Sequence, residues 1–81
     1  MMVTEEEVLA FLNKRIREEH GNPVKIDNLF IDSQVDSFGM TVIFLDMDDK
    51  YHCFNNEWFK TVDWKSTTVE SIVKRAVDGN S

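Results

Sequence analysis

The sequence predicts an all-α protein, a four-helix bundle of three main helices and one short helix, with a long loop between helices 1 and 2. Three observations lead there. Apolar residues recur every three or four positions in three separate segments, the period of a helix buried on one side. A capping residue stands ahead of each segment. No pair of alternating apolar runs is joined by the short glycine-containing turn that marks a hairpin.

Thr4 followed by Glu7 is a capping-box pattern, in which hydroxyl and carboxylate each satisfy an otherwise unpaired backbone N–H, so the first helix begins there. Leu9, Leu12 and Ile16, with Val8 beside them, form its apolar stripe, and Glu6, Asn13, Lys14 and Arg17 face water. Gly21 and Pro23 end it. Residues 21–35 read as a long loop that Ile26, Leu29, Phe30 and Ile31 can pin onto a core.

Asp36 is a favoured N-cap, because its carboxylate accepts unpaired backbone N–H groups and is attracted to the positive end of the helix dipole. Ser37 is then the first helical residue. Met40, Ile43, Phe44, Met47 and Tyr51 keep the helical period, so the second helix runs over about 37–51. One short helical turn is expected between about 56 and 65, with Trp58, Phe59 and Trp64 closing the end of the core. Thr67 and Glu70 make another capping-box pattern ahead of the apolar face Val69, Ile72, Val73, Ala76 and Val77, and Gly79 marks the end of that last helix.

An 81-residue chain makes one domain, residues 1–81. At this size only about 60% of the unfolded surface is buried, which favours a carrier or binding module over an enzyme with a large enclosed site. The formal charge is −6, and its focus is residues 36–59, which carry five acids and one base. Such a chain repels nucleic-acid phosphates and anionic lipid, and fits a partner with a basic face. Cys53 is the single cysteine and cannot form an intramolecular disulfide. The acidic start "MMVTEEEVLAF" has no long apolar run, so neither secretion nor membrane insertion is expected, and a cytoplasmic setting is.

"FIDSQVDSFG" holds two Asp-Ser pairs, Asp32-Ser33 and Asp36-Ser37. A serine that opens a helix stands beside unpaired N–H groups and a positive dipole end, an arrangement that tolerates phosphate. Ser37 has that context and Ser33 does not. By itself the dipeptide Asp36-Ser37 is also an ordinary helix start.

A longer pattern surrounds it. "DSFGMTVIFLDMDDKY", preceded by an apolar-rich loop and followed by "TTVESIVKRA", resembles an acyl carrier protein over nearly the whole chain. In that family an Asp-Ser-Leu motif opens the second helix; the matching residues are Asp36, Ser37 and Phe38. Ile43, Phe44, Leu45 and Met47 stand where the family has apolar residues, Asp48 and Asp49 match its acidic end, and "TTVESIV" resembles its Thr-Val-x-x-Ile pattern. The resemblance implies that Ser37 receives a 4′-phosphopantetheine arm from coenzyme A through a separate phosphopantetheinyl transferase with Mg²⁺, the chain being substrate and not enzyme. It further implies an arm that carries acyl groups as thioesters to acyl-transfer, synthase or ligase enzymes of fatty-acid, polyketide or related biosynthesis, and an acyl chain that can fold back into the bundle core. Phe38, Thr41, Val42, Leu45, Asp48 and Asp49 lie on one side near Ser37 and form the expected docking face for a basic partner patch; the chain is expected to be a monomer.

The departures from the family pattern cluster around the arm. Gln34 stands for a glycine, Ser33 for a leucine, Phe38 for a leucine, and Gly39 and Val42 for acidic residues, which points to a specialised carrier. The alternative in another class is an unmodified acidic helical adaptor with the same fold. A hydrolase using Ser37 lacks a recognisable base, since neither His20 nor His52 stands in a nucleophile-activating pattern. Asp46, Asp48 and Asp49 lack the alternating order and loop glycine of a calcium site, His52-Cys53 lacks zinc spacing, and no metal is expected.

Overall fold

The computed structural model describes residues 3–80, apart from the side chain of Asn56; Met1, Met2 and Ser81 lie outside the described residues. Four helices follow one another: α1 (Glu5–Glu18), α2 (Ser37–Tyr51), α3 (Asn56–Thr61) and α4 (Val69–Asp78), with one 3-10 turn (Phe30–Ser33) in the long first connection. Helix α1 packs on both α2 and α4. The radius of gyration is 11.5 Å, close to the value of about 11.7 Å expected for a compact chain of this length.

Thr4 caps α1 by accepting the Glu7 N–H at 3.1 Å. Val8, Leu12 and Ile16 are fully buried, while Leu9 packs at the margin of the core. Asn13, expected to face water, instead holds the loop: its Nδ2 donates to the Val24 carbonyl at 2.9 Å and its Oδ1 accepts the Val24 N–H at 2.8 Å. Two bonds from one amide satisfy both backbone groups of a residue that sits outside any helix.

The end of α1 is also made differently from the sequence expectation. His20 adopts a left-handed conformation (φ 65°), its N–H donates to Arg17, and the Gly21 N–H donates to Ile16 at 2.8 Å, the paired bonds of a Schellman stop. Gly21 contributes space and not a positive φ. A Cβ there would stand 2.8 Å from both an Ile16 methyl and the Ser33 carbonyl oxygen, and would also strike Val35.

Helix α4 starts one residue later than the expected box at Thr67. Thr68 is the N-cap and accepts the Ser71 N–H at 3.1 Å. Thr67 is occupied in the preceding turn, where its hydroxyl donates to the Asp63 carbonyl at 2.6 Å and its carbonyl accepts the Phe30 N–H at 2.9 Å. Glu70 pairs with Lys74.

Phe44 is the centre of the core and is fully buried. Its ring lies 4.9–5.2 Å from those of Phe30, Phe54, Trp58 and Trp64, and the Trp58 and Phe59 rings pack edge-on beside it. These aromatics close the end of the bundle, as their place in the sequence suggests, and they join α2 to α3 and to the turns on either side of it. Of the loop residues expected to pin the first connection, Phe30 is buried and Ile26 is partly so, but Leu29 and Ile31 remain exposed; Val24, Ser33 and Val35 take the buried places instead.

Candidate functional site

Asp36 caps α2, its Oδ1 accepting the Gly39 N–H at 2.7 Å. Ser37 is therefore the first residue of the helix, and it is exposed. Ser33 is 0% exposed, and its Oγ accepts the Val35 N–H at 3.5 Å. The two Asp-Ser pairs thus differ in access: one hydroxyl meets solvent at a helix N-terminus and the other lies inside the fold. The Ser37 hydroxyl has no hydrogen-bond partner among the described residues, and the Asp36 carboxylate beside it is engaged in capping. Among the described residues no base is hydrogen-bonded to this oxygen, the arrangement by which a serine nucleophile is activated.

Phe38, directly after the serine, is 76% exposed, and Leu45 two turns on is 56% exposed. At about 100° per residue the six expected docking residues span an arc of roughly 120° opposite the buried side of α2. Phe38, Thr41, Leu45 and Asp49 are exposed; Val42 and Asp48 are half-buried at the two margins. One margin is tied to α1 through an ion pair between Asp46 and Arg15, which also bonds Glu18 at 2.9 Å. The Glu18 hydrogen bond and the charge of Asp46 raise the Arg15 guanidinium above its ordinary value, against the effect of burial. At the other margin Asp48 Oδ1 accepts the Phe54 N–H at 3.0 Å and fastens the turn into α3.

That margin opens into a groove of about 650 Å³ between α2 and α3, walled by Leu45, Phe54, Phe59 and Trp64 and rimmed by Thr41 and Asp48. Thr41 Oγ1 donates to the Ser37 carbonyl at 3.0 Å, so the groove begins one turn from the candidate attachment point. The sequence gives no sign of this concavity, because its aromatic wall comes from a separate segment whose period is too short to orient.

Cys53 is half-buried, and burial, with the nearby Asp48, pushes its thiol up to about 11 although Arg75 opposes the shift. It is a poor nucleophile and a poor ligand at neutral pH. Among the described residues no group of three or more His, Cys, Asp or Glu side chains could hold a metal ion, and no helix is long and apolar enough to cross a membrane. Comparison with protein-family models, with curated proteins and with solved structures returned no match.

Proposed function

We propose that this chain is an acyl carrier protein whose Ser37 is the attachment point for 4′-phosphopantetheine. The observation that carries this reading is the accessibility of one capped, helix-opening serine beside the exposed Phe38, while the other Asp-Ser serine is buried. An exposed hydroxyl with room around it suits a reaction run by a second protein. Ser37 Oγ forms the new P–O bond, the pyrophosphate P–O bond of coenzyme A breaks, adenosine 3′,5′-bisphosphate leaves, and the serine proton passes to a base of the transferase. The transferase supplies Mg²⁺ and the coenzyme A site.

The arm then presents an acyl thioester at high effective concentration to any enzyme on which the carrier docks. Docking uses the outward side of α2, where apolar Phe38 and Leu45 stand among Asp36, Asp48 and Asp49 and suit a partner with an apolar seat and a basic rim. With aromatic rings filling the core around Phe44, the surface groove between α2 and α3 is the place where a short acyl group can rest against the carrier. The departures at Gln34, Phe38, Gly39 and Val42 suit a specialised carrier, and the reading takes the chain as a monomer of the cytoplasm that is a substrate and not an enzyme.

Incubation with coenzyme A, Mg²⁺ and a promiscuous phosphopantetheinyl transferase should add one phosphopantetheine, mapped to the peptide containing Ser37, and Ser37→Ala should abolish it. An unmodified wild-type chain would favour the adaptor reading. Modification mapped to Ser33 would overturn the site.

A further inference from the structure

Three described residues other than glycine adopt left-handed backbone: His20, Gln34 and His52. His20 and His52 end α1 and α2, where such a stop is common. Gln34 (φ 60°, ψ 22°) ends a single 3-10 turn and stands three residues before Ser37. Glycine takes this conformation freely and a glutamine does not. Strain held at one point of a candidate site calls for something that the side chain does there.

The Gln34 side chain crosses to another segment. Its Oε1 accepts a hydrogen bond from Asn22 Nδ2 at 3.1 Å, and the Asn22 N–H donates to the Ser33 carbonyl at 2.8 Å. One residue further on, Val35 is clasped between Gly21 and Gly39; a Cβ on Gly39 would lie 2.5 Å from a Val35 methyl and 3.2 Å from the Asp36 carboxylate. The segment just after α1 therefore grips the segment just before α2 by backbone, by packing and by the Asn22–Gln34 amide pair. Of these three, the amide pair is exposed and can be altered without opening the core.

We infer that Gln34, anchored on Asn22, is a positioning residue for Ser37: it fixes the path of the chain into α2 and hence the direction in which the hydroxyl meets a phosphopantetheinyl transferase. The inference rests on the carrier reading. Gln34 touches neither the serine oxygen nor the incoming phosphate in this role; it acts through residues 35 and 36.

The test is a series on the full chain. Gln34→Gly keeps the left-handed backbone and removes the side chain, Asn22→Ala removes the donor, and Gln34→Glu keeps an acceptor of the same length. Arm attachment should fall roughly three- to tenfold in kcat/KM for Gln34→Gly and Asn22→Ala, with no greater loss in the double variant. Gln34→Glu should retain most of the rate. Thermal midpoints of the glycine variant should be unchanged or raised, and its Gly39 amide should exchange faster. Wild-type rates in both Gln34→Gly and Asn22→Ala would overturn the inference while leaving the carrier reading intact. If the wild-type chain accepts no arm, the carrier reading and this role both fall, and the exchange data alone then report whether the amide pair orders residues 35–39.

Discussion

Helix α4 turns Val69, Ile72, Val73 and Ala76 into the core and shows water Glu70, Ser71, Lys74 and Asp78, whereas α2 buries Met40, Ile43, Phe44, Met47 and Tyr51 and still leaves Phe38 and Leu45 exposed. One apolar side is what folding requires of a surface helix. Helix α2 has a second. On the proposed carrier reading, these apolar residues, grouped beside an exposed serine and bordered by carboxylates, form the surface that a partner covers transiently. The two helices lie in the same bundle and share the same solvent, and the proposed carrier reading assigns the difference to docking on α2.

The contrast can be broken most sharply at two adjacent residues of α2. Phe44→Ala should cost about 3–5 kcal/mol, because it empties the centre of the aromatic cluster, and urea unfolding would read the loss. A cost below about 1 kcal/mol would mean that the rings close over the gap and that the core side of α2 is not decisive.

Leu45→Ala, one position along, should change stability by less than about 0.5–1 kcal/mol, and so should Lys74→Ala on the outward side of α4. Their effects on the transferase reaction should separate them: Leu45→Ala raises KM and Lys74→Ala leaves it unchanged. Equal KM values for the two variants would remove the functional distinction between the faces.

The smallest effect lies at the turn between α2 and α3, where the Cys53 thiol is raised from 9.0 to about 11, chiefly by burial. The unfolded chain releases this proton first. The thiol's contribution to stability is therefore complete below about pH 9, declines as pH rises and is lost above about 11. Tyr51 is raised in the same direction, also chiefly by burial. The thermal midpoint should fall through this alkaline window, less so in Cys53→Ser, and iodoacetamide should label native Cys53 slowly at neutral pH. Rapid labelling of the folded chain would contradict the burial that separates this turn from the open face of α2.

Much of α2 was legible because its signals are local. Asp36 is a capping residue by chemistry and the 3.6-residue period runs unbroken to Tyr51, so both ends could be read directly. The start of α4 slipped by one residue because Thr67 and Thr68 are chemically alike and only the bonds of Thr67 to Asp63 and Phe30 decide between them. Asn13 departs from its water-facing expectation for a similar reason: its partner Val24 is eleven positions away, and no periodicity reports a contact made across a loop. The site divides in the same way. Ser37 and its cap belong to one short stretch, whereas the Asn22–Gln34 pair and the aromatic wall of the groove exist only once separate segments meet.

The aromatic cluster has a spectroscopic consequence. Trp58 and Trp64 are the chain's two tryptophans, and their rings stand 6.1 Å apart at 89° within the assembly around Phe44. Indole transitions this close and so oriented couple to each other, which adds an exciton signal to the circular dichroism of the helices and distorts any helix content read from ellipticity alone. Trp64 lines the α2–α3 groove, and Trp58 lies behind its wall with its ring 4.3 Å from that of Phe54. Trp64 emission therefore reports on the groove, and a ligand or cargo entering it can be followed without attaching a dye, with Trp64→Phe as the control.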